Sequence, residues 1–218
     1  MLLVFDLDGT LVDSSQDLAD SANALLASYD APAQSVDRII QMVGDGAAKL
    51  VERACTAAGL EAVPRDALPR FLKLYDERLL NHTRPYPGVV ETLDEVAGRG
   101  PMAVLTNKPA RPSRDILDGT GLLGYFDELV GGDGPLGRKP DPTGLRWLID
   151  RAGRTPASAL LIGDSHVDLL TARAVGTPFC LAGYGFGVAG VEVGSLGPTD
   201  WLIDRPLDLV ARLEDWAG

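Results

Sequence analysis

The chain has 218 residues, 45% of them hydrophobic, which suits one large domain or a core with a smaller insert. Its net charge of −11 argues against partners such as nucleic acid or anionic membrane surfaces. No apolar run approaches membrane-spanning length, and a strand pattern that begins at Leu2 leaves no room for a signal peptide. Cys55 and Cys180 are expected to be buried free thiols of a cytoplasmic protein, with a disulfide as the alternative.

The first stretch is a short apolar strand that ends abruptly in carboxylates. Four strand-forming residues, 2–5, are followed directly by Asp6, Leu7, Asp8, Gly9 and Thr10. Residues two apart in an extended chain point the same way, so the two aspartates can face one point, where they need a cation or a shared proton. An exposed turn would explain the Asp-Gly pair, but not an aspartate placed directly behind four core residues. The pattern favours metal-assisted chemistry.

Residues 15–85 read as an all-helical block without a strand signal. We expect helices over residues 15–29, over 35–43 with Ser35 as N-cap, over 47–58, and after Pro64. The block follows the first strand and leaves through a Pro- and Gly-rich exit near residue 85. It therefore reads as a helical insert (15–85) in a core made of residues 1–14 and 86–218.

The remainder of the chain alternates strands with helices. Strands are expected at residues 102–105, 129–130, 159–162, 179–181 and 201–203, separated by helices and by a loop over 131–142. Such alternation predicts an α/β fold with a parallel sheet, in which ligands sit beyond the carboxyl ends of the strands. Polar clusters follow three of the strands, so we expect them to converge on one crevice.

These clusters, in order and spacing, resemble the four motifs of the haloacid dehalogenase superfamily. The motifs are residues 6–10, Thr106-Asn107-Lys108-Pro109, Lys139-Pro140, and Gly163-Asp164-Ser165 with Asp168. The resemblance implies a Rossmann-like parallel sheet, and the helical insert is similar to the family's small helical cap. Within the family, the phosphoglycolate phosphatase-like branch is the nearest match, on segments that include 131–133 and 184–185.

The resemblance implies a role for each acidic residue. Asp6 would be the nucleophile that forms an aspartyl-phosphate, and Asp8 the general acid and then base. Asp6, the backbone carbonyl of Asp8 and Asp164 would hold Mg²⁺, a hard cation that prefers oxygen ligands. Asp168 would bind the metal through water or orient the site, and an ordinary helix-start aspartate is the alternative.

Other core residues have implied or local roles. Thr106 and Asn107 would hydrogen-bond the phosphoryl oxygens, and Lys139 would add a fixed positive charge. The neighbouring Lys108 and Arg138 have weaker claims. Local turn and helix-cap roles are expected for Thr10 and Ser14. His166 is expected at the surface or at the edge of the substrate site, not as a ligand, and residues 184–187 are expected to form at most a mobile rim loop.

The insert is expected to choose the substrate. The turn Gly44-Asp45-Gly46 could present backbone N–H groups to an anion, and Lys49 and Arg84 are the cationic candidates near it. For each of these residues, an inter-helix turn with surface charges is the alternative.

Three functional hypotheses follow. The first is a Mg²⁺-dependent phosphomonoesterase for a small organic phosphate, with phosphoglycolate as the first candidate, acting as a monomer or homodimer. The second is a phosphomutase of the β-phosphoglucomutase type, which shares the covalent step. The third, from another class, is a non-catalytic interaction module that keeps the fold.

Overall fold

A six-stranded parallel sheet forms the centre of the protein, as seen in the computed structural model, which describes residues 1–216. Its strand order is β5-β4-β1-β6-β7-β8, and a separate pair joins β2 to β3. The strands are β1 (Leu2–Phe5), β2 (Val12–Asp13), β3 (Arg84–Pro85), β4 (Met102–Leu105), β5 (Glu128–Val130), β6 (Ala159–Gly163), β7 (Phe179–Ala182) and β8 (Trp201–Ile203). The α/β fold class expected from the sequence is confirmed.

Helices cover both faces of the sheet, because its strands are apolar on both sides. Leu3 and Phe5 of β1 belong to one buried cluster, and Leu2 and Val4 to another on the opposite face. The first cluster includes residues of α5 and α9, and the second includes residues of α7 and α8. The helices are α1 (Ser15–Ala27), α2 (Val36–Ile40), α3 (Ala47–Ala57), α4 (Ala67–Asp76), α5 (Val89–Val96), α6 (Ala110–Gly119), α7 (Thr143–Arg151), α8 (His166–Val175) and α9 (Asp208–Asp215).

Helices α1 to α4 form the helical insert and pack on one another. Leu25 and Leu26 of α1 and Phe71 of α4 are fully buried in one cluster. Burying such a side chain contributes about 1.5–3 kcal/mol, so this packing stabilises short helices that would be marginal alone. Ser35 caps α2 as expected, accepting from the Arg38 N–H at 3.3 Å. The expectation that α2 reaches residue 43 is wrong, since it ends at Ile40.

A short antiparallel ribbon joins the insert to the core. Strands β2 and β3 pair Val12 with Pro85 and Asp13 with Arg84. The expectation that residues 15–85 contain no strand is therefore wrong. Two-residue strands, one of which contains proline, carry no periodic signal in the sequence. The ribbon places both connections between insert and core beside the end of β1.

The sheet topology creates a crevice at the carboxyl end of β1. The chain leaves β1 toward β4 and β5 on one side and later returns to β6 on the other. Such a reversal opens a gap where ligands bind in α/β proteins. Both cysteines are buried free thiols, as expected. Across residues 1–216, no helix is long and apolar enough to span a bilayer.

Candidate active site

Three carboxylates from distant parts of the chain meet at this crevice. Asp6 follows β1, Asp164 follows β6, and Asp168 lies in the first turn of α8. One oxygen from each lies within 4.8 Å of the other two. The close approach depends on Gly9, where φ is +84° and an added Cβ would lie 1.9 Å from Asp164 Oδ2. The sequence expectation that these motifs converge is met.

Asp168 is held entirely by donors of the protein. Its Oδ1 lies 2.5 Å from Lys139 Nζ, and its Oδ2 accepts from the backbone N–H (3.1 Å) and the hydroxyl (2.5 Å) of Ser165. Ser165 in turn caps α8 by accepting from the Asp168 N–H. With both oxygens engaged, Asp168 is arranged to position Lys139.

Lys139 joins Asp168 to the opening strand. Its ammonium lies 2.9 Å from Asp6 Oδ1, which also accepts from the Leu7 N–H at 2.7 Å. Burial lowers the pKa of Lys139, but Asp168 and Asp6 outweigh it and the net shift is upward. Burial raises the pKa of Asp6 to about 7, opposed by Lys139 and reinforced by Asp168. Lys139 is therefore a fixed charge beside Asp6.

Lys108 occupies the equivalent position beside Asp8. Its ammonium is buried and lies 2.7 and 2.8 Å from the two oxygens of Asp8, whose Oδ1 also accepts from the Ser14 hydroxyl at 2.6 Å. The same ammonium lies 4.6 Å from the ring centre of Tyr75 in α4. Lys139 contacts Asp6, as its stronger claim implied, and Lys108 contacts Asp8. The helix-cap role expected for the Ser14 side chain is wrong, because that side chain makes no capping bond. The sequence position of Lys108 could have indicated its contact with Asp8, because Lys108 follows β4 at the same edge of the sheet where Asp8 follows β1.

The Asn107 side chain connects core and insert. Its amide donates to the carbonyl of Gly44 and to the carbonyl of Lys139, both at 2.9 Å, so neither N–H is free for a phosphoryl oxygen. Its Oδ1 is buried and has no partner within the described residues. The hydroxyl oxygen of Thr106 accepts from the Lys108 N–H at 3.3 Å. Both Thr106 and Asn107 line the crevice.

Residues 184–187 pack directly against the acidic cluster. The Gly187 N–H donates to Asp164 Oδ2 at 2.7 Å, and the Tyr184 hydroxyl donates to the Thr10 carbonyl at 3.0 Å. A Cβ at Gly185 would lie 2.2 Å from the Gly9 carbonyl oxygen and 2.3 Å from Asp164 Cβ. The segment is a loop that lines the cavity, as expected, and only glycine lets its backbone approach Asp164 so closely.

The crevice continues into a cavity of about 780 Å³, including its open mouth, between core and insert. Gly44 and Gly46 of the expected binding turn line it. The neighbouring Asp45 pairs with Arg53 at 2.5 Å. The lining comprises Asp6, Asp8, Leu18, Val43, Gly44, Gly46, Ala47, Leu50, Phe71, Leu72, Tyr75, Asp76, Thr106, Asn107, Lys108, Pro109, Pro112, Asp164, Ser165, Phe186 and Gly187.

The two expected cations of the insert lie outside this lining. Lys49 is exposed and pairs with Glu52 at 2.8 Å. Arg84 donates to three backbone carbonyls of its own segment, those of Leu80, Asn81 and Thr83. The structure therefore does not bring either cation to the crevice. His166 is exposed, as expected.

The charges of the site fit a divalent cation. When all are ionised, the carboxylates of Asp6, Asp8, Asp164 and Asp168 exceed the ammonium groups of Lys108 and Lys139 by two negative charges. Burial raises the pKa of Asp164 well above its ordinary value, and the charges of Asp6 and Asp168 add to the effect. A hard divalent ion at Asp6 and Asp164 would relieve this repulsion.

Comparisons with known proteins agree with this geometry. Residues 3–182 match the model of the family described as haloacid dehalogenase-like hydrolase. The chain is 39% identical over 224 residues to the phosphoglycolate phosphatase of Rhodospirillum rubrum, covering 99% of this chain and 90% of the relative. It is also 39% identical over 216 residues to phosphoglycolate phosphatase 1 of Pseudomonas aeruginosa, covering 96% and 78%. A crystal structure from Haemophilus somnus, described as a predicted phosphoglycolate phosphatase, superposes with a TM-score of 0.88 at 32% identity, covering 97% of each chain.

Proposed function

This chain belongs to the haloacid dehalogenase-like hydrolase family, and from that membership we propose that this phosphatase hydrolyses a small phosphate monoester in a Mg²⁺-dependent reaction. Phosphoglycolate is the first candidate, since the matched relatives carry that name. The observation that carries the proposal is the meeting of Asp6, Asp8 and Asp164 with two buried lysines at one end of the sheet.

Asp6 is proposed as the nucleophile. Its Oδ1 is held by Lys139 and the Leu7 N–H, which leaves Oδ2 to attack phosphorus. A bond forms between this oxygen and phosphorus as the bond from phosphorus to the leaving oxygen breaks. The product is an aspartyl-phosphate, and Lys139 balances the charge that accumulates beside it.

Asp8 is proposed as the acid and base of the two steps. In the first step its carboxyl proton passes to the leaving oxygen. In the second step water attacks the phosphorus of the aspartyl-phosphate and gives its proton back to Asp8, which releases inorganic phosphate and restores Asp6. Lys108 and Ser14 fix the orientation of the Asp8 side chain for both transfers.

Asp6, the backbone carbonyl of Asp8 and Asp164 are proposed to hold Mg²⁺. The bound ion would neutralise repulsion between the nucleophile and the phosphate and would orient the attack. The Gly187 N–H occupies Asp164 Oδ2 and leaves Oδ1 for a ligand role. Asp168 is proposed to act indirectly, by positioning Lys139.

The side of the cavity that the helical insert forms, here called the insert wall, distinguishes hydrolysis from the mutase alternative. A sugar phosphate carries several hydroxyl groups that need hydrogen-bond partners when buried. The wall is formed largely by aliphatic and aromatic side chains, which suits a small leaving group better than a sugar. The complete set of buried charges likewise argues against a non-catalytic module, which has no use for it.

A panel of phosphate monoesters, assayed with Mg²⁺ and again with excess EDTA, tests the proposal. We expect release of phosphate from small esters that EDTA abolishes and that Asp6→Asn lowers by at least about 10³-fold. Asp150→Asn, at an exposed position of α7, is the matched control and should retain activity. Wild-type rates in Asp6→Asn protein would rule out the mechanism.

A further inference from the structure

The two walls of the cavity differ in the polar groups that they offer to a leaving group. From the insert, six aliphatic or aromatic hydrocarbon side chains line it, together with Tyr75 and Asp76. Among these described residues, Tyr75 carries the one side-chain hydrogen-bond donor. Asp76 pairs with Arg111 of α6. Any specific polar recognition by side chains of this wall therefore depends on Tyr75.

The O–H group of Tyr75 is a buried donor without an acceptor among the described residues. The residue is only 4% exposed, and no described residue accepts a hydrogen bond from its Oη. Phe71, stacked on Tyr75 at 5.9 Å and 6°, fixes the ring. Burial raises the pKa of Tyr75 to about 12, although Lys108 lowers it, so the phenol keeps its proton. An unsatisfied buried hydroxyl is costly, which indicates that a ligand atom completes it.

Lys108 supplies positive charge beside this hydroxyl. Among the described residues that line the cavity, it is the one cation, and it lies over the Tyr75 ring at 4.6 Å. Its ammonium has three N–H donors, and among the described residues it contacts the two oxygens of Asp8 and lies beside the oxygen of the Tyr75 hydroxyl. Because Asp8 is the proposed acid for the leaving oxygen, Lys108 lies on the side of the leaving group and not of the phosphoryl group.

We propose that Lys108 and Tyr75 form a subsite for a carboxylate carried by the leaving group, a short distance from the ester oxygen. The inference rests on the proposed function and narrows it to small phosphate esters of hydroxy acids. The carboxylate would accept from the phenol and from the ammonium, while its short carbon chain lies against the apolar wall. Phosphoglycolate, with one methylene group between ester oxygen and carboxylate, is the smallest hydroxy-acid ester of this class.

The matched pair of phosphoglycolate and ethyl phosphate tests this subsite, because the two esters differ in carrying a carboxylate or a methyl group. We expect wild-type protein to prefer phosphoglycolate, and Tyr75→Phe to reduce the ratio of the two kcat/KM values by about tenfold or more, as loss of a hydrogen bond to a charged group would. Tyr29→Phe is the control, because its hydroxyl bonds to Asp66 and does not line the cavity. Its ratio should equal that of wild type.

Inhibitors make the test independent of how the variant folds. For wild-type protein, 3-phosphonopropionate should inhibit at least about tenfold more tightly than propylphosphonate, which lacks the carboxylate. Equal inhibition, or a ratio of kcat/KM values that Tyr75→Phe leaves unchanged, would overturn the subsite while hydrolysis itself stands. Absence of hydrolysis of every ester would instead overturn the proposed function, and the subsite with it.

Discussion

The core end of the cavity and the wall formed by the helical insert are built on opposite principles. At the core end, charged groups follow strands of a rigid sheet, and each of Asp6, Asp8 and Asp168 contacts a buried ammonium. The insert wall is mostly hydrocarbon, with Tyr75 as its donor. The difference separates two tasks: the core end performs the chemistry, and the insert selects what is attached to the phosphate. Catalytic charges must be positioned accurately, and the rigid sheet of the core positions them better than a mobile element would.

The largest expected effect concerns the lysines of the two regions. Lys139→Ala leaves Asp6 and Asp168 buried beside each other without a cation, and should lower the free energy of unfolding by about 3–5 kcal/mol. Lys49→Ala removes an exposed lysine of the insert and should leave the urea midpoint at the wild-type value. Urea denaturation without added metal measures both. Equal midpoints for the two variants would contradict the assignment of Lys139 as a structural and electrostatic partner.

Substitution of two aspartates that line the same cavity, one from the core and one from the insert, compares the two regions by their effect on phosphatase activity. Asp164→Asn should lower kcat/KM by at least about 100-fold at a fixed Mg²⁺ concentration, because it removes a proposed ligand. Asp76→Asn, on the insert, weakens a partly exposed ion pair with Arg111. This substitution should change kcat/KM by less than about threefold. Phosphate-release assays over a range of Mg²⁺ concentrations decide this. Similar losses in both variants would show that the core end holds no special metal site.

Substitution of a glycine that packs against Asp164 should have a smaller effect on kcat/KM, and a second glycine nearby provides the control. Gly185→Ala forces a methyl group into the Gly9 backbone and Asp164, and should reduce kcat/KM by about 10- to 100-fold through misplacement of the carboxylate. Gly190→Ala meets no atom within 4 Å and serves as the control. Full activity in Gly185→Ala protein would mean that the contact of this loop with Asp164 has no functional weight.

The smallest effect is a pH dependence of metal binding. The pKa of Asp6 is raised to about 7 in the folded protein, so between about pH 4 and 7 the native state binds more protons than the unfolded state. The stability of metal-free protein should therefore fall as pH rises through this window. Because Mg²⁺ displaces the proton, saturating Mg²⁺ should raise Tm by about 5 °C more at pH 8 than at pH 5. Equal shifts at both pH values, or an undiminished shift in Asp164→Asn protein, would contradict this linkage.

The core could be predicted from sequence because its signals are local. The apolar runs of β1, β4, β6 and β7 are bounded by turn residues, and the polar groups behind them fall at one edge whenever the strands are parallel. The placement of Asp6 and Asp164 follows from this rule alone. It needs no knowledge of side-chain conformation.

The remaining features depend on tertiary distances that no local pattern encodes. Lys108 and Lys139 both follow strands, and which aspartate each one contacts is decided by the loops that carry them. Residues 184–187 lack periodicity, so their approach to Asp164 becomes visible only in three dimensions. On the insert, the positive charges of Lys49 and Arg84 made them the expected binding residues, whereas the cavity is lined by the apolar faces of α3 and α4.

Trapping of the phosphoenzyme tests the central claim most directly. Wild-type and Asp8→Asn protein are mixed with phosphoglycolate and Mg²⁺, quenched in acid and digested, and the phosphorylated peptide is located by mass spectrometry. The account predicts a phosphoryl group on Asp6, with a larger fraction labelled in Asp8→Asn protein because hydrolysis of the intermediate lacks its base. Rapid turnover with the label on another residue, or undiminished turnover in Asp6→Asn protein, would contradict it.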